Sequence, residues 1–296
     1  MTDSNRVTRF SLQPMAGALG ARIEGIDLAA PMSAALLEAV REAFRTHLVL
    51  AFPGQGHLTA RQQAAFASNW GALQKLPAGT IDEGGLILEL KTGGPDDPRG
   101  KNRDISEAQK LARPDIWHAD QTFERCPPLG SFLLARTLPP VGGDTMFSNQ
   151  HLAYEALSAP LRQMLDSLTA QHSGEGYYGA IGRNPADAPR NVHPVVTVHP
   201  ETGRRSLFVN RIWTKRIVEL DDAESRALLA FLHTHSERPE FTFRHHWQEG
   251  DLLMWDNRCT LHYAINDYGL NLRVMHRATA HGQVPAGCSA AAEGTI

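Results

Sequence analysis

A mainly β fold, an antiparallel core with flanking helices, is what this sequence predicts. Three observations carry the prediction. Short apolar stretches bounded by turn residues recur between residues 129 and 275. Two capped, amphipathic helical segments precede them. No internal repeat of solenoid or propeller length is present.

Taken in order, residues 10–30 read as short extended pieces cut by Gly17, Gly20 and Gly25. A helix is expected from a Ser33 cap through His47, with Leu36, Leu37, Val40 and Phe44 on one stripe. Residues 48–52 form a buried strand stopped by Pro53 and Gly54. Thr59 and Gln62 make a capping box for a second helix that ends at Gly71. A strand follows at 86–90. Residues 92–115 are rich in glycine, proline and charge and read as a lid-like loop. Strands are expected at 129–135, 194–198, 206–210, 242–243, 252–255 and 272–275. Helices are expected near 149–169 and at 221–235, the latter capped by Asp221 or Asp222; overall, helices gather toward the N-terminal side. Residues 1–282 read as a single domain, and the Ala/Gly/Ser-rich 283–296 as a flexible C-terminal tail.

The 296 residues are 42% hydrophobic, enough for a sizeable core and incompatible with a disordered chain. With 29 Lys+Arg against 32 Asp+Glu, no basic excess points to nucleic acid or to a membrane surface. No apolar run approaches the length of a membrane span, and the start lacks a secretion signal. Three cysteines in no CxxC spacing neither staple the fold nor form a zinc set. A cytoplasmic protein is expected. The 14 histidines are the unusual feature and raise the question of a metal.

Trp117-His118-Ala119-Asp120 is the informative segment. In a strand, residues i and i+2 share a face, so His118 and Asp120 can reach one ion together. Trp255-Asp256-Asn257-Arg258-Cys259-Thr260-Leu261-His262 supplies a distant second imidazole. Two His and one carboxylate on one side of an ion form the facial triad of non-haem Fe(II) oxygenases, leaving three positions open. Arg273 follows on the next apolar stretch, its planar fork suited to a carboxylate.

The ordered series Trp117 to Phe123 (WHxDxTF), Gly142 to Thr145 (GGDT), Phe208 to Asn210 (FVN) and Trp255 to Ala264 (WDNRxxxHYA) resembles the TauD/TfdA family of Fe(II)- and 2-oxoglutarate-dependent dioxygenases. That family includes taurine, alkyl sulfate ester and aryloxyalkanoate dioxygenases, and the resemblance runs over nearly the whole chain. It implies a double-stranded β-helix, the cupin-like jelly roll. It implies His118, Asp120 and His262 as ligands of Fe(II), and Thr145 and Arg273 as holders of the 2-oxoglutarate carboxylates. Arg277 matches the arginine that meets the substrate's anionic group in the taurine enzyme. The co-substrates would be 2-oxoglutarate and O2, and succinate and CO2 the co-products.

The chain departs from the taurine enzymes in one place. Where they carry a His and, three residues later, a Tyr that reach the substrate, this sequence has Leu76 and Gly79; Pro114 replaces an Asn. Trp213 stands where the taurine enzyme has Phe. A pocket of Leu76, Gly79, Trp213 and Arg277 would favour a small organic anion with a greasier body than taurine: an alkyl sulfate ester, a sulfonate or an aryloxyalkanoate. The reading leaves room for a homo-oligomer, dimer or tetramer. A zinc hydrolase on the same ligands and a catalytically silent jelly-roll binding protein are the competing classes.

The remaining motifs have plainer readings. Gly174 to Gly179 fits GxGxxG by letter, with no helix expected after it. His233 and His235 cannot share a helix face, His245 and His246 point oppositely, His193 and His199 read as strand-edge residues, and His276 as packed.

Overall fold

The computed structural model describes residues 10–76, 79–94 and 116–288. The strands and helices run in the order β1 (Ser11–Pro14), β2 (Ala21–Glu24), α1 (Ala34–His47), β3 (Val49–Phe52), α2 (Ala60–Ala67), β4 (Leu88–Thr92), β5 (Gly130–Thr137) and β6 (Thr145–Asn149). Then come α3 (Gln150–Glu155), α4 (Ala159–Leu165), β7 (Thr169–Ser173), α5 (Glu175–Ala180), β8 (Arg190–Pro194), β9 (Val196–Val198), β10 (Arg205–Leu207) and β11 (Thr214–Ile217). The chain closes with α6 (Asp222–Ser236), β12 (Thr242–His245), β13 (Leu252–Asp256), β14 (Thr260–Ala264) and β15 (Arg273–Ala280).

Seven strands form the major sheet, in the order β1-β2-β3-β13-β5-β15-β4. A three-stranded sheet, β12-β6-β14, carries the opposing wall of a double-stranded β-helix. Alternate residues of the central strands serve two cores. Leu50, Phe52, Phe132, Leu134, Leu252 and Met254 pack outward against Val40 and Phe44 of α1 and Phe66 of α2. Val49, Ala51, Leu133, Leu253, Trp255 and Met275 face inward, toward Phe147 of β6. Both faces of the major sheet are therefore covered, which is why its strands read as continuous apolar runs.

Local signals set the helix starts as expected. Ser33 Oγ accepts from Leu36 N, Thr59 and Gln62 form a reciprocal capping box, and Asp221 forms another with Glu224. Four expectations need correction or refinement. Helices are not gathered at the N-terminal side, because α3, α4 and α6 close a third core over β7 and β9. The GxGxxG segment contains a short helix, α5, which turns Tyr177 toward Phe123 and Trp213. His193, on the outer strand β8, and His199, just past β9, do stand at strand edges, but both are buried: His193 is bonded to Glu124 O and His199 to Asp256. The expected flexible tail is pinned as far as residue 288, because Val198 N donates to Ala286 O and Gly287 bridges Thr197. Residues 289–296, and all but the first three of loop 92–115, lie outside the described residues. Among the described residues, no helix is long and apolar enough to cross a membrane.

Candidate active site

The cavity between the major sheet and β6–β14 has a volume of about 370 Å³, within the range of small-molecule sites. His118, Asp120 and His262 line it, together with Thr145, Trp213, Arg273 and Arg277.

His118 and Asp120 do not lie on a strand. His118 forms an isolated bridge with His262, its N–H donating to His262 O at 3.0 Å and its carbonyl accepting from His262 N at 2.7 Å. Asp120 lies in the turn that follows, and Gln121 beyond it has φ 48°. The two residues still reach one point, because the turn folds the carboxylate back under the imidazoles. Asp120 Oδ1 is 3.7 Å from His118 Nε2 and 3.8 Å from His262 Nε2. One ligand atom from each residue falls within 4.8 Å of the others.

The protonation states suit a cation. The Nδ1 of His118 meets Ile116 O at 2.7 Å; as an N–H donor there, it leaves Nε2 with a lone pair facing the carboxylate. Burial lowers the pKa of both imidazoles, that of His262 to about 3 with His118 adding to the effect. Burial alone would raise Asp120. The charges of His262, Arg277 and His118, with the Ser131 hydroxyl at 2.8 Å from Oδ2, outweigh it and hold the group at about 2. Two neutral imidazoles and an ionised carboxylate with one oxygen uncommitted are a donor set that fits a divalent ion.

Along β15, Arg273, Met275 and Arg277 share the inward face, as alternation requires. Arg273 is buried, its Nε has no hydrogen-bond partner among the described residues, and its guanidinium lies 6.0 Å from the Trp247 ring centre. Trp247 Nε1 donates to Thr145 Oγ1 at 3.0 Å. The glycines of GGDT make room here: Gly143 has φ 78°, and a Cβ there would crowd Arg273 Nε and the Tyr268 ring at 3.3 Å. This end of the cavity, polar and enclosed, suits a carboxylate group. Arg277 lies at the other end, its Nη1 3.7 Å from Asp120 Oδ1. Beside it, Phe123, Tyr177 and Trp213 form an aromatic wall with ring centres 4.8 to 6.3 Å apart. Trp213 Nε1 donates to Ala119 O at 2.9 Å, fixing the indole beside the ligand segment.

Leu76 and Gly79 stand apart from the described lining. Leu76 is half-buried with its N–H bonded to Gly85 O, and Gly79 is exposed in a left-handed turn over Leu88. Neither is among the described lining residues. Sequence reasoning missed Tyr177, hidden in a segment read only for its glycines. It quoted Phe123 and Asn257 as motif letters without giving either a role.

A second buried trio, His199, Asp256 and Cys259, also brings its ligand atoms within 4.8 Å. Here Arg258 Nε and Nη2 occupy the Asp256 oxygens at 2.8 and 2.6 Å, and His199 takes Oδ2 at 3.0 Å. With Arg258 N donating to Oδ1 at 2.9 Å as well, the carboxylate has no lone pair left over, and the cluster reads as structural.

Comparison with known proteins agrees with this geometry. The family model "Taurine catabolism dioxygenase TauD, TfdA family" matches residues 11–280. The "Alkylsulfatase" of Acinetobacter baylyi is 37% identical over 96% of this chain and 88% of its own length. The "Alpha-ketoglutarate-dependent sulfate ester dioxygenase" of Pseudomonas putida is 36% identical over 94% of this chain and 91% of its own. A crystal structure of a taurine dioxygenase from Burkholderia xenovorans superposes with a TM-score of 0.80 at 34% identity, covering 95% of this chain and 93% of that one. These relatives favour the dioxygenase over a zinc hydrolase or a silent binding protein. The chain belongs to the TauD/TfdA family and is a non-haem, Fe(II)- and 2-oxoglutarate-dependent dioxygenase that uses O2.

Proposed function

We propose that His118, Asp120 and His262 hold the Fe(II), that Thr145 and Arg273 receive 2-oxoglutarate, and that the primary substrate is an alkyl sulfate ester. The observation that carries the substrate class is the pairing, in one cavity beside the triad, of Arg277 with the Phe123–Tyr177–Trp213 wall. Arg277 offers a fork to the sulfate, and the rings take the alkyl body and exclude water. Asp120 is the sole carboxylate among the described lining residues. An ammonium such as taurine's would lie beside two guanidiniums with no anion of its own, a costly burial.

When bound, the iron would let O2 act as the oxidant, taking two electrons from 2-oxoglutarate, which leaves as succinate and CO2, and two from the substrate, with one oxygen atom ending in succinate and the other in the substrate. Arg277 and the wall place the carbon bearing the ester oxygen toward the triad. That carbon's C–H becomes C–OH. The product then loses the hydroxyl proton as its C–O bond to sulfate breaks, giving an aldehyde and inorganic sulfate. The similarity to an alkylsulfatase and a sulfate ester dioxygenase supports this reading. A cytoplasmic setting, in which the free thiols of Cys126, Cys259 and Cys288 persist, goes with it.

A competition assay tests the substrate class, with a medium-chain alkyl sulfate, an aryloxyalkanoate and taurine at equal concentration. Sulfate, phenol and sulfite release are followed separately, with O2-dependent succinate as the common readout. The alkyl sulfate should exceed taurine in kcat/KM by about a hundredfold, or ~2.7 kcal/mol of transition-state stabilisation. Taurine drawing level would overturn the proposal.

A further inference from the structure

The run from Asp256 to His262 leaves β13, turns, and enters β14. Its outer side is anchored by Asp256, through Arg258 and His199. Thr260 Oγ1 donates back to Asp256 O at 2.7 Å. Between these anchors Asn257, 1% exposed, turns inward. Its Oδ1 accepts from the Asp120 backbone N at 2.6 Å, and its Nδ2 donates to Asp120 O at 2.9 Å and to Pro128 O at 3.2 Å. One side-chain amide thus grips the N–H and the carbonyl of one metal-facing residue and ties them to a second carbonyl, that of Pro128.

That grip falls where the backbone needs it. The next residue, Gln121, sits at φ 48°, in the left-handed region that side-chain-bearing residues rarely adopt. An unsupported turn of this kind would relax toward ordinary φ and swing Asp120 away from the imidazoles. The Asp120 carboxylate itself has one hydrogen bond, from Ser131 to Oδ2, which orients the group but does not fix its backbone.

We propose that Asn257 is a positioning residue of the metal centre: by clamping the Asp120 peptide it holds the carboxylate at the distance both imidazoles require. The inference rests on His118, Asp120 and His262 being the metal ligands.

The test is Mn(II) binding to the full chain, without 2-oxoglutarate, followed by calorimetry and by the electron paramagnetic resonance line shape of the bound ion. Wild type, Asp120→Ala and Asn257→Ala are compared. Asn257→Ala should raise the Mn(II) Kd by roughly 10- to 100-fold, the usual effect of removing a group that orients a ligand. The line shape should broaden as the coordination becomes heterogeneous. A merely structural role would lower the melting temperature and leave the Kd of the folded protein alone. Should Asn257→Ala not fold, Asn257→Ser carries the same expectation; if neither folds, the residue serves the fold and the proposal is overturned. A wild-type Kd in the Asn257 variant, with Asp120→Ala weakened, overturns the proposal and leaves the ligand assignment standing. Equal binding by wild type and Asp120→Ala, or none by wild type, removes the ligand assignment and the clamp with it.

Discussion

Two buried clusters in this protein have nearly the same composition and opposite chemistry. His118, Asp120 and His262 face one another across the cavity, as do His199, Asp256 and Cys259 behind it. Both are enclosed, and both carboxylates are ionised, Asp256 being held far below the usual range by Arg258 and His199 against the effect of burial. What separates them is commitment. Both oxygens of Asp256 are filled by Arg258 and His199. Asp120 Oδ1 has three cationic or polarisable groups at 3.7 to 3.8 Å and no hydrogen bond to any of them. Donor type and burial are therefore poor markers of a metal site, and an uncommitted lone pair is a better one.

The largest effect should come from exchanging roles between the clusters. Asp120→Ala should abolish substrate turnover and weaken Mn(II) by more than about a hundredfold, beyond what losing an orienting contact costs. His199→Ala should leave the Mn(II) Kd unchanged. Titration of both variants checks this, and equal losses would mean that the second cluster holds the ion too.

Stability should respond the other way. Arg258→Ala strands the buried Asp256 charge with only His199 beside it and should cost about 3–5 kcal/mol in denaturant unfolding. A cost below ~1 kcal/mol would show that water takes over the carboxylate.

The smallest effect concerns acid. His151, whose ring lies 6.0 Å from that of His199, is lowered by burial to about 4, and His262 to about 3. Both bind protons in the unfolded chain near the ordinary 6.5 and do not in the folded one. Their contribution is complete above about pH 6.5 and is lost as pH falls toward those depressed values. Saturating Mn(II) should protect against acid only through the first cluster, because protons compete with the ion there. His151→Asn should flatten the remaining slope of melting temperature against pH. A slope that Mn(II) removes completely would contradict the separation of the two clusters.

Much of this was readable from the chain. Capping boxes at Thr59 and Asp221 are local chemistry and act where they are written. The three proposed ligands, which come together in one cavity, were legible because the motifs that bear them are compact. Their geometry was not: His118 and Asp120 were expected on a strand, but a turn with Gln121 at positive φ does the work, and long-range clamping stabilises it. Tyr177 was invisible for a related reason. Its place in the aromatic wall depends on a six-residue helix that packing against Phe123 and Trp213 supports, and short helices have little intrinsic stability. Leu76 and Gly79 were chosen by counting positions from a motif, and the Leu76 N bond to Gly85 O shows that the local path there is not a simple extended run.

The reciprocal backbone bonds between His118 and His262, and the Asn257 grip on Asp120 across 137 residues, also set a timetable. Joining segments so distant in sequence is slow and comes after local structure has formed. During synthesis, a chain that has not yet reached β14 carries the His118–Asp120 pair but no third donor. With the proposed ligands, such a nascent chain would hold a cation only weakly, and tight binding would wait until the jelly roll has closed around all three.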